Sequence, residues 1–314
     1  MSIVERSEEL AVAQPKVAAR RRGGPRWFAQ TGWRHVVAIA ACLFALFPVA
    51  YIVSAAFNAD QSLGGSSLIP RSVTLDNFRE LFETTQPAGS EFLPANYVRW
   101  FLNSLLIAGG TAVITVLLGA LAAYAFSRFR FKGRRVGMLF LLLIQMFPQL
   151  LAVVAIYLIV LRVGDIFPAI GLNKPTALIL VYLGGAMGVN TWLMKGFFDT
   201  IPAELDESAR VDGATPAQVF WGIILPLAAP VLAVIGLFSF IWTLNEYVIA
   251  SVILQTSDRK TLPLGLYQYI DQQFGKHWGP FAAGVLIAAI PAALLFAFLQ
   301  RYIVRGLTQG AVKG

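Results

Sequence analysis

The chain has 314 residues, of which 57% are hydrophobic and 13% are charged, whereas an ordinary soluble domain has about 25% charged residues. So few charges cannot cover a water-facing surface of this size, and the mean hydropathy of +0.67 is typical of proteins that cross a membrane several times. A soluble enzyme is therefore excluded. The net charge of +8 indicates no nucleic-acid partner, because the basic residues cluster beside apolar runs, as the positive-inside rule requires.

A membrane-spanning helix needs about 20 apolar residues, and six segments meet or nearly meet this length. The predicted spans are residues 36 to 57, 100 to 126, 137 to 161, 177 to 194, 227 to 252 and 280 to 300. The first apolar run is too long for a cleaved signal peptide, and residues 1 to 35 before it are polar. We predict an all-α integral membrane protein with six transmembrane helices and a disordered cytoplasmic leader, residues 1 to 35.

The distribution of basic residues predicts the orientation of the spans. With the N-terminus inside, the inner segments hold 17 of the 25 Lys and Arg residues, five of them in the short loop from Ser127 to Val136. This bias favours N- and C-termini that are both cytoplasmic. Residues 36 to 304 then form one membrane domain, and residues 305 to 314 form a cytoplasmic C-terminal tail that either contacts a partner or frays.

A short helix is predicted outside the membrane, between the first and second spans. The sequence TLDNFRELF repeats apolar residues at helical spacing, and Thr74 or Asp76 can cap the helix at its N-terminus. This amphipathic helix either lies on the bilayer as a lid or docks a partner. A second outer element, the loop from Leu266 to Trp278, is rich in aromatic and amide residues.

A polar segment, residues 199 to 226, separates the fourth and fifth spans. Pro202 suits the first turn of a helix, Gly213 suits its C-terminal end, and Thr215 with Gln218 forms a capping box that begins a second helix. The segment therefore predicts a helix, a glycine turn and a second helix. We expect the second helix to run straight into the fifth span, as a rigid lever.

The same segment resembles the EAA signature of ABC-importer permeases. Glu207-Ser208-Ala209, then Gly213, then Ile223-Ile224-Leu225-Pro226 match the signature in residue type and spacing, with Ser208 in place of the first alanine. The resemblance implies that the segment docks into a cleft of a cytoplasmic ATPase; the alternative is a membrane-surface loop without a partner. The residues expected to couple the chain to the ATPase are Glu207, Ser208, Ala209, Asp212, Gly213, Ile223, Leu225 and Pro226.

Further motifs are similar to the smaller membrane subunit of maltose-type transporters, the MalG-like carbohydrate permeases. They are AYAFSRFRF (123 to 131), QMFP (145 to 148), YLGG (182 to 185), DGATP (212 to 216) and GLTQGAVKG (306 to 314). The resemblance implies the ABC type I importer permease fold in a bacterial or archaeal inner membrane, and alternating access. It also implies four kinds of partner: a homologous permease subunit, two ATPase subunits that bind ATP and Mg, an extracytoplasmic sugar-binding protein and the lipid bilayer.

Polar residues inside the predicted spans are candidates for a translocation path. Trp242, Asn245 and Glu246 share one helical face, and a carboxylate at bilayer depth costs several kcal/mol, so it should face a cavity or a partner subunit or reach the outer interface. Gln145 and Gln149 flank Pro148 and either line the path or bond carbonyls that the proline frees. Two glycines, Gly184 and Gly188, predict close helix packing.

Other residues are candidates for contact with partner proteins rather than for catalysis. Tyr269, Gln272 and Gln273 are candidates for contact with the binding protein. The acidic residues Glu204, Asp206, Glu207 and Asp212 either meet basic residues of the ATPase or form a solvated face.

The sequence has no glycine-rich phosphate-binding motif, and His35 and His277 lie on opposite predicted sides, so they cannot share a metal. We expect a non-catalytic subunit without a cofactor of its own. Maltose, maltodextrin and trehalose are the leading substrates. The alternatives are an importer for another solute, such as glycerol phosphate, and a secondary transporter, which would need more intramembrane charge than Glu246 supplies.

Overall fold

The computed structural model describes residues 31–59, 70, 72–83, 96–271 and 277–311, with side chains up to residue 302. These parts of the chain are helical apart from short connections and an isolated bridge between Asn58 and Val73. The helices are α1 Trp33–Phe57, α2 Asp76–Phe82, α3 Tyr97–Arg128, α4 Arg134–Met146, α5 Gln149–Ile166, α6 Pro175–Phe198, α7 Ala203–Val211, α8 Pro216–Leu227, α9 Ala229–Asn245, α10 Val248–Ile253, α11 Leu262–Tyr267 and α12 Trp278–Ala311. Most of the predicted leader lies outside the described residues.

Five of the described helices are long and apolar enough to cross a bilayer, namely α1, α3, α5, α6 and α12. A sixth span results if the bent pair α8 and α9 is taken as one. The predicted class, an all-α membrane protein, is confirmed. The chain divides into two units, Met1–Tyr51 and Ile52–Gly314; the first holds most of α1, whose side chains are largely exposed, and the second holds the helices described below.

The third predicted span, residues 137 to 161, is divided in the structure. α4 ends at Met146, and α5 begins only at Gln149, because Phe147 and Pro148 have extended backbones. A proline ring disfavours the helical conformation of the residue before it. Gln145 and Gln149 therefore lie on different helices rather than one turn apart on a single helix.

The expected straight lever between the second helix of segment 199 to 226 and the fifth span is wrong. α8 contains a π-helical turn at Phe220–Ile224 and meets α9 at an angle of 76°. Pro230 lies at the start of α9 and has no N–H to donate to the carbonyl of Pro226, four residues earlier. A displacement of α7 therefore reaches α9 through a bend rather than along one straight helix.

Two buried clusters lie at opposite ends of the second unit, around the central helix α3. The inner core cluster, on the predicted cytoplasmic side, joins α3, α6, α8 and α9 through residues that include Tyr124, Phe198, Phe220, Ile224 and Ile235. The outer core cluster joins the end of α1 to α2, α3, α11 and α12 through Leu81, Tyr97, Trp100, Leu262 and Leu266. These clusters hold the ends of the membrane helices.

The predicted outer helix is confirmed as α2. The predicted cap by Thr74 or Asp76 is wrong, because Leu75 occupies the N-cap position without a side-chain cap bond; the Thr74 hydroxyl accepts a hydrogen bond from the Asp76 backbone at 3.1 Å just before the helix. The buried amide of Asn77 donates to the carbonyls of Ala56 and Asn58 at 3.0 and 2.8 Å, and Leu81 is fully buried. These contacts fasten α2 to the end of α1, so it does not merely rest on the bilayer.

Candidate coupling segment and membrane cavity

The predicted helix, glycine turn and helix are present in segment 199 to 226. Gly213 follows α7 with φ of +84°, and its N–H donates to the Arg210 carbonyl at 3.0 Å while the next N–H, of Ala214, donates to Ala209 at 2.9 Å. These two bonds form a Schellman motif, which favours glycine at the left-handed position. We call α7, this turn and α8 the coupling segment.

The predicted capping box begins α8. The Gln218 backbone N–H donates to the Thr215 hydroxyl at 3.3 Å, and the Thr215 backbone N–H donates to the Gln218 side-chain oxygen at 2.8 Å. Because both free N–H groups are satisfied, α8 has a defined first residue immediately after the turn. The sequence therefore fixes the local geometry of the coupling segment.

The two faces of α7 have different surroundings. On the inner face, Asp206 forms a buried ion pair with Arg128 at the end of α3; their side chains are 5% and 10% exposed. Ala209 packs against the inner core cluster. On the other face, Glu207 and Ser208 are exposed, and Val211 is 88% exposed. α7 thus offers one free face and uses the other for attachment.

The other residues expected to couple the chain to an ATPase are likewise divided between exposed and more buried positions. Asp212, Gly213 and Pro226 are exposed, whereas Ile223 and Leu225 are half-buried. Ile224, which was not among the candidates, is fully buried, as is Val219 in the same helix. Of the acidic residues, Glu204 and Glu207 are exposed, but Asp206 is unavailable to a partner because Arg128 holds it.

Several hydrogen bonds fasten the coupling segment, and the residues just before it, to the end of α3. Arg128 donates to the Ile201 carbonyl at 2.9 Å, the Tyr124 hydroxyl donates to the Pro216 carbonyl at 3.4 Å, and the Ser127 hydroxyl donates to Asp199 at 2.7 Å. Burial raises the pKa of Asp199, but hydrogen bonds from Lys195 and Ser127 outweigh this effect and hold its pKa below the usual value. Asp199 therefore stays charged as part of the attachment.

A cavity of about 1160 Å³ lies among α4, α5, α6 and α9. Its lining is mostly apolar, and the polar groups are Gln145, Gln149, Asn190, Ser239 and the indole of Trp242. The Ser239 hydroxyl is buried and makes no hydrogen bond in the described part of the chain. A large cavity with a few polar groups is a common form of solute site.

The two glutamines of the predicted path have separate surroundings. The Gln145 amide donates to the Gly185 carbonyl and accepts from the Val189 backbone at 2.9 Å, so it bridges α4 to α6. Gln149, which is the first residue of α5, lines the cavity. Gln149 is thus the more available of the two for a solute.

The three residues expected on one face of the fifth span have three different environments. Trp242 lines the cavity and lies edge-on to Tyr182, with ring centroids 5.4 Å apart. Asn245 is exposed and bonds the carbonyl of Ile241 in its own helix at 2.7 Å. α9 ends at Asn245, which leaves Glu246 at a break between α9 and α10.

The Glu246 carboxylate has a structural role at this break. It accepts hydrogen bonds from the backbones of Ile249 and Ala250 at 2.9 and 3.0 Å, and the Tyr182 hydroxyl donates to it. Glu246 therefore satisfies the free N–H groups at the start of α10 and ties α10 to α6. Sequence reasoning missed this role, because no proline or glycine marks the break.

The two glycines of the predicted pair in α6 have different surroundings. A Cβ added at Gly188 would lie 2.5 Å from the Leu141 carbonyl oxygen of α4, whereas one added at Gly184 would meet nothing within 4 Å. The packing interpretation is confirmed for Gly188. Gly184 instead borders the cavity.

The outer loop of the candidate binding-protein contacts is only partly described. Tyr269 packs against the outer core cluster, and burial together with the Glu80 charge raises its pKa to about 12. The His277 backbone donates to the Tyr269 carbonyl at 2.8 Å and closes the base of the loop. Gln272 and Gln273 lie outside the described residues.

Comparison with known proteins defines the class to which this helical arrangement belongs. Residues 115–309 match the family model described as binding-protein-dependent transport system inner membrane component. The structure superposes on a chain of a bacterial ABC transporter involved in the import of the acidic polysaccharide alginate, with a TM-score of 0.69, covering 90% of this chain and 99% of that one at 21% identity. The fold is that of an ABC-importer permease.

Curated relatives match most of the chain. The galactooligosaccharides transport system permease protein GanQ of Bacillus subtilis is 42% identical, over 86% of this chain and 90% of its own length. The maltose/maltodextrin transport system permease protein MalG of Escherichia coli K12 is 37% identical, over 89% and 95%. The chain therefore belongs to the family of binding-protein-dependent inner-membrane permeases of ABC importers, as the EAA-like motif predicts.

Proposed function

We propose that the chain is one of two membrane permease subunits of an ABC importer for oligosaccharides of the maltodextrin or galactooligosaccharide kind. Support for the solute class comes from GanQ and from the maltodextrin permease MdxG of Bacillus subtilis, which are 42% and 38% identical to this chain. A homologous permease subunit, two ATPase subunits and an extracytoplasmic sugar-binding protein complete the complex in the cytoplasmic membrane. ATP and Mg are bound by the ATPase subunits.

The observation that carries the proposal is the two-sided coupling segment. The free face of α7, with Glu207, Ser208 and Val211, receives the movement of an ATPase subunit. The attached face passes this movement through the Arg128–Asp206 ion pair to α3 and through the inner core cluster to α6 and α9. Because packed interiors transmit displacement with little compression, closure of the ATPase pair shifts the inner ends of these membrane helices.

The cavity among α4, α5, α6 and α9 supplies the solute path in this proposal. The Trp242 indole offers an aromatic face, and Gln149, Asn190 and Ser239 offer hydrogen-bonding groups from three helices. Aromatic faces pack on the C–H surfaces of sugar rings, and amide and hydroxyl groups bond their hydroxyls. Gln145 and Glu246 hold the walls of this path rather than the solute.

Two glycines with matched geometry test the proposal. Gly213 and Gly133 have φ of +84° and +87°, and a Cβ at either position meets nothing within 4 Å, so alanine introduces the same backbone strain, roughly 1 kcal/mol, at both. In the complete complex reconstituted in vesicles, we expect Gly213→Ala to lower ATP-driven uptake of a labelled maltodextrin about tenfold, and Gly133→Ala to leave it nearly unchanged.

Equal uptake by the two variants would show that the coupling segment does not transmit the movement of the ATPase subunits. A complex that transports neither maltodextrin nor galactooligosaccharide, yet hydrolyses ATP with another solute and its binding protein, would overturn the solute class while leaving the coupling role in place.

A further inference from the structure

The loop between α3 and α4 carries five basic residues, which the structure divides into two groups. Arg128 and Arg134 are structural: the buried side chain of Arg128 forms an ion pair with Asp206, and the half-buried Arg134 donates to the Ser127 carbonyl at 3.4 Å. Arg130, Lys132 and Arg135 are exposed, and no ion pair or hydrogen bond of their side chains is present in the described part of the chain. We propose that these three residues form a binding site for the headgroup of an anionic phospholipid.

The arrangement of the loop separates its aromatic side chains from its charges. Phe129 leaves the end of α3 with an extended backbone, and residues 132 and 133 form a turn before α4. The ring of Phe129 lies 5.6 Å from that of Tyr124, and the ring of Phe131 lies 5.5 Å from that of Phe126. The rings of Phe129 and Phe131 thus pack onto side chains near the end of α3, whereas Arg130 and Lys132 are exposed.

The nearby acidic residues do not neutralise these three cations. Asp206 is occupied by Arg128, and Asp199 by Lys195 and Ser127. The first turn of α4 holds Arg134 and Arg135 and no acidic residue, although the N-terminal end of a helix favours negative charge. The local charges therefore repel one another, and a bound anion would offset this repulsion.

The short length of the loop keeps it at the membrane surface. Only residues 129 to 133 separate the end of α3 from the start of α4, so the loop reaches at most about 8 Å beyond the helix ends and back. The headgroup layer is about 5 to 8 Å thick on each side of the hydrocarbon. Phe129 and Phe131 are also partly exposed, at 39% and 45%, which suits the boundary between headgroups and acyl chains.

A lipid fits this place better than the ATPase does. The exposed surface of the coupling segment carries Glu204, Glu207 and Asp212, whereas the loop carries only cations. Basic residues directly beside a membrane span attract anionic headgroups, at about fivefold in affinity for each residue near the surface. The three exposed cations together should favour an anionic over a zwitterionic lipid by about 100-fold.

Lipid binding to the complete complex, purified in mild detergent, tests this site. Native mass spectrometry would count phosphatidylglycerol and phosphatidylcholine molecules retained during titration with each lipid. We expect the triple variant Arg130→Gln, Lys132→Gln, Arg135→Gln to lose about 100-fold in phosphatidylglycerol affinity at one site, with phosphatidylcholine binding unchanged. A variant with Arg130→Lys and Arg135→Lys should retain the site because it retains the charges.

The matched control removes three basic residues on the opposite predicted side of the membrane, by Arg99→Gln, Arg162→Gln and Lys174→Gln. Equal losses in this control and in the loop variant would overturn the proposal, since they would reflect net charge alone. Retention of phosphatidylglycerol by the loop variant, or loss of the ATPase subunits from it with lipid retention intact, would also overturn the proposal; the second result would assign the loop to the ATPase.

Discussion

The coupling segment and the junction between α9 and α10 both interrupt the regular run of membrane helices, but different forces hold them. In the coupling segment, a buried ion pair and the inner core cluster fix α7 and α8 to three membrane helices. At the α9–α10 junction, one half-buried carboxylate bonds two backbone N–H groups and Tyr182, whose ring packs against Trp242 of the cavity wall. The first arrangement suits the transmission of force, and the second suits a local rearrangement around a solute.

Breaking the buried ion pair should have the largest effect. Asp206→Asn leaves the Arg128 guanidinium buried without a counter-charge, and removal of one partner of such a pair costs about 3 to 5 kcal/mol. We expect that loss in the free energy of unfolding of the complex, measured by denaturant titration. Glu204→Gln, two residues earlier on the exposed face, should change it little; similar values for the two variants would refute the anchoring role.

Replacement of both charged residues of the ion pair tests its role further. The double variant Arg128→Met with Asp206→Leu removes both charges and fills the space with apolar atoms, so it should be more stable than Asp206→Asn alone. A double variant as unstable as the single one would mean that the hydrogen bond from Arg128 to Ile201, rather than the ion pair, carries the attachment.

The wall of the cavity provides the next largest effect. Gly188→Ala would place a methyl group 2.5 Å from the backbone oxygen of Leu141, and overpacking of this kind costs about 1 to 3 kcal/mol. Gly184→Ala, one turn earlier, meets open space and should be tolerated. Thermal unfolding of both variants measures the difference; equal midpoints would show that α4 and α6 are not packed as described.

At the α9–α10 junction, Glu246→Gln should have a smaller and more local effect. The neutral amide has one acceptor oxygen where the carboxylate has two, so it cannot accept from Ile249 at one oxygen and from Ala250 at the other, and we expect a cost of about 1 to 2 kcal/mol. Hydrogen exchange of the α10 amides should become about tenfold faster while the exchange of α7 stays the same. Tyr182→Phe removes a single bond and should produce an intermediate rate. Unchanged exchange in Glu246→Gln would exclude the capping role.

The smallest expected effect belongs to the capping box of α8. Thr215→Ala removes the acceptor for the Gln218 N–H and should lower the free energy of unfolding by about 1 kcal/mol. Gln218→Ala removes the reciprocal bond and should have a similar effect, and the double variant should cost less than the sum because the two bonds form one unit. If the losses in the free energy of unfolding of the two single variants add up fully in the double variant, the two bonds are independent, which would contradict the capping box.

Local signals in the sequence predicted the coupling segment well. Pro202 and Gly213 act through their own backbone angles. Thr215 and Gln218 act through side-chain hydrogen bonds to each other's backbone, so none of the four needs help from distant parts of the chain. The burial of Asp206 was not predictable in this way, because it depends on Arg128, which is distant in sequence and close only after α3 and α7 pack together.

The shape of the membrane helices was less predictable. Hydropathy identified the apolar runs but not the break at Phe147 and Pro148 or the bend between α8 and α9, although the prolines at 148, 226 and 230 are the physical cause of both. The break at Glu246 has no such local signal. Its carboxylate is satisfied by Tyr182 and by the start of α10, and these partners become visible only in three dimensions.

Cross-linking from the exposed face of α7 tests whether this face meets an ATPase subunit. In a Cys42→Ser background, Val211→Cys would carry a benzophenone maleimide in the complete complex, and Arg162→Cys, exposed near the C-terminal end of α5, would serve as the control. We expect the ATPase subunit to be cross-linked from residue 211 and not from residue 162. No cross-link from residue 211, or equal cross-linking from both positions, would contradict this expectation.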